Sequence, residues 1–321
     1  MVKYITMMKR IFFIIPTAIL VITALYLAGC AKQKPNAEAP LGSAKNPLKM
    51  AMVPSLETTK LLASGEKLAI LLQKETGYHY EVSVPTSYAT VIETLGAGKL
   101  DIAWLAPLSY VLAHDKYGAK VLLVTIRAGR KDYRGHIIAR TDTGINSIED
   151  IKGKRFAFGD PLSTSGTIYP KLLLLEKGLN PETYFSQVVY SSGHDKTVIA
   201  VYNHQVDAGA IYGGEVSDAR EKVMELFPDV MKKTKIIAKT SPIPNDTVSV
   251  RRDLPADMAE KIKQGLIKVA KSDEGRRAVM DLYGIDGLTP TKDEDYNSVR
   301  RAAKMLGINI ESSLKEEAHK N

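Results

Sequence analysis

Apolar positions along this chain switch back and forth between two periods. A short apolar stretch at 50–55 reads as a strand. Leu61, Leu68 and Leu72 then fall on one helical face, and Gly77 supplies the stop. Tyr80, Val82 and Val84 alternate as a strand does, and 88–95 returns to helical spacing. A strand at 100–105, a helix at 109–117 and a strand at 121–126 follow. Further on, Arg155-Phe156-Ala157-Phe158 alternates again, and Tyr169 to Lys177 carries a leucine-rich helical pattern. Regular alternation with short connections predicts open α/β sheets. In such sheets ligands gather at the carboxyl ends of strands, where helix N-termini also lie.

The pattern repeats itself once. Val91-Ile92 precedes Leu100-Asp101-Ile102-Ala103, and Val198-Ile199 precedes Val206-Asp207-Ala208-Gly209 at nearly the same spacing. Polar helix starts stand upstream of each, Thr86-Ser87-Tyr88 in one case and Ser191-Ser192-Gly193-His194-Asp195 in the other. The chain is therefore expected to fold as two related lobes that face a shared cleft. Trp104 and the leucines at 172–175 read as core, and Asp101 and Asp207 as turn caps at strand starts.

Between the 155–158 strand and the 169–177 helix lies Asp160-Pro161-Leu162-Ser163-Thr164-Ser165-Gly166. Three hydroxyls and the first N–H groups of a helix would point one way, toward the positive end of its dipole. Such a site suits a phosphate-like group held without a formal positive charge. Taken alone, the same residues read equally as an ordinary N-cap in a polar loop.

Composition narrows the class. Lys3, Lys9 and Arg10 precede an apolar run from Ile11 to Tyr26, which ends in Leu27-Ala28-Gly29-Cys30. The run is short for a spanning helix of about 20 apolar residues, and the pattern is that of an export signal cut before a lipid-modified cysteine. Residues 1–29 are thus expected to be a signal peptide, and Cys30 a lipid anchor outside the cytoplasmic membrane. Cys30 is the single cysteine, which excludes an intramolecular disulfide or a cysteine-rich metal site. The stretch 30–47, rich in Pro, Gly, Ala and Ser, reads as a flexible tether, and the charged segment 312–321 as a tail. Loss of two Lys and one Arg with the leader lowers the formal charge from +8 to +5. That surplus is spread along the chain without a nucleic-acid reader motif.

Enzyme signatures are missing. GxSxG, HExxH and Walker A motifs do not occur, and the six histidines show no metal-ligand spacing. Ser64-Gly65-Glu66-Lys67 matches SxxK, but no KTG partner accompanies it. Neither catalysis nor a cofactor nor a metal is expected; an exported phosphate-ester hydrolase is the rival class.

Five stretches carry a resemblance: TSYATVIETLGAGKLDIAWLAPLSYVLAHD, DPLSTSGTIYPKLLLLEKGL, GHDKTVIAVYNHQVDAGAIY, SPIPNDTVSVR and LYGIDGL. Together they resemble the phosphate/phosphite/phosphonate-binding proteins of ABC importers over about 48–307. The resemblance implies a type II periplasmic-binding-protein fold, two α/β lobes with a ligand cleft between them and two crossover strands. The crossovers are expected near 135–140 and 245–251, with one lobe at 48–138 plus 249–311 and the other at 139–248. It also implies a monomer that hands a phosphorus oxyanion or organophosphonate to a membrane permease. Carried over by position, the implied ligand-binding residues are Tyr88, Tyr110, Ser163, Thr164, Ser165, His194 and Asp246. A carboxylate facing an anion is tolerable only where the ligand donates a proton or brings an ammonium, so Asp246 is expected to read P–OH and reject sulfate. The acidic group that meets an amine in some relatives would fall at Glu215, after Gly213-Gly214. A thiamine-type pyrophosphate is the alternative ligand on the same fold.

Overall fold

The computed structural model describes residues 39–308. The export segment, Cys30 and the tail at 312–321 lie outside the described residues, and no described helix is long and apolar enough to cross a membrane. Two sheets organise the chain from Leu41 onward. The first contains β1 (Leu48–Met52), β2 (Tyr80–Ser83), β3 (Ile102–Leu105), β4 (Lys120–Ile126), β11 (Thr247–Val250) and β12 (Gly287–Pro290), in the order β12-β4-β11-β3-β1-β2. The second contains β5 (Asp132–Arg140), β6 (Arg155–Phe158), β7 (Gln187–Tyr190), β8 (Ala208–Gly213), β9 (Thr234–Lys239) and β10 (Ile243–Pro244). Its order is β10-β5-β8-β6-β7, with β9 sharing the outer edge of β5.

The sheets are covered on both faces, and side-chain alternation explains how. In the first sheet Met50, Met52, Ile102 and Trp104 enter one core, while Ala51, Ala103 and Leu105 enter the other. Phe156 and Phe158 likewise part from Ala157 in the second sheet. Trp104 is core as expected, 1 % exposed with its indole N–H on Met50 Sδ. The helix Thr58–Thr76 buries Leu61, Leu68 and Leu72 and ends at Gly77, whose φ of 72° is the left-handed cap that glycine adopts freely.

The repeat seen along the sequence is a repeat in space. β2-β1-β3-β11 in the first sheet corresponds to β7-β6-β8-β5 in the second, three parallel strands and one antiparallel neighbour in each. Asp101 accepts the Lys49 N–H at 2.8 Å and pairs with Arg251, while Asp207 accepts the Arg155 N–H at 2.8 Å and pairs with that same residue's guanidinium. Each aspartate clamps a strand start onto its neighbour.

Three boundaries differ from the sequence reading. β5 pairs along its length with strands of the second sheet, so the first crossover is not 135–140 but the segment 127–131. The chain turns there at Ala128 and Gly129, with φ of 49° and 71°, between the reciprocally bonded Arg127 and Arg130. The return crossover is short, Asn245 and Asp246, between β10 and β11. The sheets therefore divide near 126 and 246 rather than at 138 and 248. The end of the expected tether is also folded. Residues 41–47 form a turn in which Gly42 O accepts the His79 N–H, and Ser43 bridges Asn46.

Candidate functional site

Two helices that correspond in the repeat open onto one cavity. Tyr88 is the first residue of the helix Tyr88–Gly96, capped by Ser87 Oγ, which accepts the Thr90 N–H at 3.1 Å. His194 is the first residue of the helix His194–Tyr202 and follows Ser192, whose φ of 60° turns the chain. A third start is the hydroxyl run. Ser163 Oγ accepts the Gly166 N–H at 3.2 Å, and 164–168 form a π-turn that continues into the helix Tyr169–Glu176. As at any helix start, the first N–H groups have no carbonyl one turn back.

The cavity is small and is lined by Tyr88, Ser163, Ser165, His194 and Asp246 among others. Five of the seven residues implied by the resemblance thus share one wall system between the sheets. Two do not line it. Tyr110 is fully buried on the far side of its helix, donates to Asp293 Oδ1 at 2.8 Å and packs edge-on against Tyr296. Its helix begins at Pro107, and Ala106 just before it reaches the cavity, but the Tyr110 side chain is taken up by Asp293 and Tyr296 instead. Thr164 is also fully buried, and its Oγ1 accepts the Leu108 N–H at 2.9 Å from the other lobe.

That bond is one of several that tie the lobes together. Asp160 accepts the Tyr88 N–H at 3.3 Å, Ser55 O accepts the His194 N–H at 3.0 Å, and Lys60 reaches Glu225 at 2.9 Å. The arrangement is a closed cleft.

Four further residues with large polar side chains stand in the wall: Arg127, Tyr133, Tyr212 and Tyr283. None was picked out along the sequence. Arg127 corrects the expectation of an anion site without a formal positive charge. Its Nη2 donates to Asp246 Oδ2 at 2.5 Å, and its guanidinium lies 5.7 and 5.6 Å from the ring centres of Tyr133 and Tyr212. Its Nε is buried with no hydrogen-bond partner among the described residues. Asp246 is therefore not an isolated carboxylate. The signal that could have found Arg127 is its position, immediately beyond an apolar strand at the carboxyl end where ligands collect. Tyr212 lies near the carboxyl end of β8.

Protonation in the cavity follows from burial. His194 Nδ1 accepts the Tyr212 N–H at 3.1 Å, and burial, with Arg127 adding to it, pushes the imidazole down to about 3. The ring is thus neutral near pH 7, with its proton on Nε2 as a donor. Burial first, then Asp160, holds the Tyr88 phenol well above its usual range, and burial raises Tyr133, Tyr212 and Tyr283 as well. All four keep their O–H. Burial raises the Asp246 carboxyl, and Arg127 opposes that shift.

Glu215 stands outside. It lies 3.6 Å from Arg134 Nε and lines a second, larger cavity of about 300 Å³ that shares Arg127, Tyr133, Tyr212 and Tyr283 with the first. The site also lacks a nucleophile-base-carboxylate chain. In a serine hydrolase the histidine Nδ1 donates to a carboxylate, whereas here it accepts a backbone N–H.

Comparison with known proteins identifies the family. Residues 50–296 match the family described as ABC transporter, phosphonate, periplasmic substrate-binding protein, and the chain belongs to it. A phosphate-import protein of Mycolicibacterium smegmatis is 28 % identical over 91 % of this chain and 96 % of its own length. The phosphonates-binding periplasmic protein of Escherichia coli is 28 % identical over 77 % of this chain and 73 % of its own. Among solved structures, a binding protein component of an ABC phosphonate transporter from Pseudomonas aeruginosa superposes with a TM-score of 0.74 at 22 % identity, covering 88 % of this chain and 95 % of that one. A Prochlorococcus marinus protein in complex with methylphosphonate gives 0.73 at 18 % identity, covering 82 % of this chain and 98 % of that one. These structures establish the two-lobe binding-protein fold. The chain is a substrate-binding protein of an ABC importer that works outside the cytoplasm, and its relatives are transport proteins rather than enzymes.

Proposed function

We propose that this protein captures a phosphorus oxyanion, phosphate or a small phosphonate, in the cleft between its lobes and delivers it to an ABC permease. The observation that carries the reading is the convergence of three helix starts, at Tyr88, Ser163 and His194, on one buried cavity. Ser163 and Ser165 supply hydroxyls at a helix start, and Tyr88, Tyr133 and His194 supply neutral donors. A tetrahedral anion needs several donors at once, and a helix start offers them at no cost in desolvated charge. Asp246 keeps Oδ1 beyond its bond to Arg127, and this oxygen reads a P–OH proton. Sulfate at neutral pH brings no proton, so an acceptor would face an acceptor. Leaving such a group unmatched costs about 1–3 kcal/mol.

The lobes turn about the crossovers at 127–131 and 245–246. Ligand touching both lobes favours the closed state by the difference in its affinity for closed and open forms. The protein acts as a monomer, tethered by lipid on Cys30, with a phosphorus ligand and the permease as its partners. Isothermal titration of the purified, dialysed protein with phosphate, methylphosphonate and sulfate tests the reading. It predicts binding of at least one phosphorus ligand and rejection of sulfate. Tight sulfate binding, or no phosphorus ligand bound at all, contradicts it.

A further inference from the structure

The two crossovers meet through their side chains. Arg127 opens the first and Asp246 lies in the second, and their ion pair joins the segments about which the lobes turn. Backbone bonds reinforce the junction: Thr125 N–H donates to Asp246 O at 2.9 Å, and Asn245 N–H to Lys131 O at 2.8 Å. Arg127 also stands in the wall shared by the inner and outer cavities. A substituent on a phosphorus head bound at Ser163 that extends to the outer space runs between Arg127, Tyr133, Tyr212 and Tyr283, the residues common to both cavities.

A cation in that passage would meet Arg127 at short range in a buried setting, where like charges repel strongly. Most carboxylates near the passage are engaged. Asp246 holds Arg127, Asp132 holds Arg130, Asp218 holds Arg220, and Glu215 faces Arg134. Glu221, exposed on the outer wall beside Lys222, and Asp286, which accepts the Gly129 N–H, have no ion pair among the described residues, and both lie outside the inner cavity. Meanwhile the buried, unpartnered Nε of Arg127 offers a donor that an anionic oxygen satisfies.

We propose that Arg127 makes this cleft selective for small phosphorus oxyanions without an amine, such as phosphate, phosphite and methylphosphonate, over aminoalkylphosphonates. The inference rests on the cleft being a phosphorus-oxyanion site. Its test compares 2-aminoethylphosphonate with n-propylphosphonate, which has nearly the same shape and no charge on its tail. Titration calorimetry on the wild-type protein should show at least tenfold weaker binding of the amine, about 1.4 kcal/mol. In Arg127→Gln the uncovered Asp246 can meet the ammonium, and the preference should fall at least fivefold. Arg127→Lys keeps the charge and should keep the preference, and far-ultraviolet circular dichroism establishes that each variant is folded. Equal wild-type affinity for the two ligands overturns the inference while leaving the oxyanion site standing. So does a folded Arg127→Gln with an unchanged ratio. If Arg127→Gln does not fold, the wild-type ratio and Arg127→Lys decide. Failure of the wild type to bind phosphate, methylphosphonate or either test ligand removes the oxyanion reading itself, and this inference with it.

Discussion

Acid should destabilise this protein through His194, and the size of the effect can be worked out. The imidazole is 4 % exposed, accepts the Tyr212 N–H, and is held at about 3 against an ordinary value of 6.5. Because the folded value is depressed, the unfolded chain takes up the proton first as pH falls. The stability this neutral ring contributes is complete above about pH 6.5 and is lost progressively down to about 3. The slope is about 1.4 kcal/mol per pH unit, so the loss at pH 4.5 is about 2–3 kcal/mol. Asp246 works in the opposite sense. Its folded value is raised, so the folded state holds that proton more firmly and gains stability as pH falls through the raised value. The readout is therefore a difference between two proteins rather than one slope. Urea unfolding of ligand-free wild type and His194→Gln, from pH 8 to pH 4.5, should show the wild type losing about 2–3 kcal/mol more than the variant. Parallel pH profiles would refute the argument that His194 is buried as a neutral donor.

Other changes should separate the roles of residues near the cleft. Asp246→Asn should weaken phosphate or methylphosphonate tenfold or more, about 1.4–3 kcal/mol, while improving sulfate binding; unchanged preferences in calorimetry would take Asp246 out of ligand reading. Tyr110→Phe removes the bond to Asp293 on the far side of its helix, so thermal unfolding should show a loss of about 1–2 kcal/mol with ligand affinity kept within twofold. A tenfold affinity loss there would return Tyr110 to the ligand site. Thr164→Val deletes the acceptor for the Leu108 N–H across the cleft, so every ligand should weaken by one common factor of about three to ten, the equivalent of about 0.5–1.5 kcal/mol. Unequal factors for phosphate and methylphosphonate would mean instead that the hydroxyl touches the ligand.

Some of this site was legible in the sequence because short-range chemistry writes it there. Ser87 before Tyr88, and the left-handed turn before His194, are local devices that start helices, and helix starts at strand ends are where such folds bind. The Asp101 and Asp207 echo was readable as a repeated apolar-Asp pair, but the role of each, holding its strand to a neighbour 52 residues away rather than capping a turn, was not. Tyr110 was misplaced because its hydroxyl is committed to Asp293, a contact across 183 residues that local pattern cannot show. Arg127 and its pairing with Asp246 depend on a contact across 119 residues, which local pattern cannot show. The crossover at 127–131 escaped notice for a related reason. β5 is a continuous buried strand with either assignment, and only its antiparallel pairing with β8 and β9 puts all of it in the second sheet.

The most direct test is a crystal structure of the protein with methylphosphonate. The account predicts phosphorus density in the inner cavity, its oxygens within hydrogen-bond reach, about 2.6–3.2 Å, of Ser163, Ser165, Tyr88 and His194 Nε2, with one oxygen on Asp246 and the lobes closed. Phosphorus seated elsewhere, or a cleft that stays empty at saturating methylphosphonate, would contradict it.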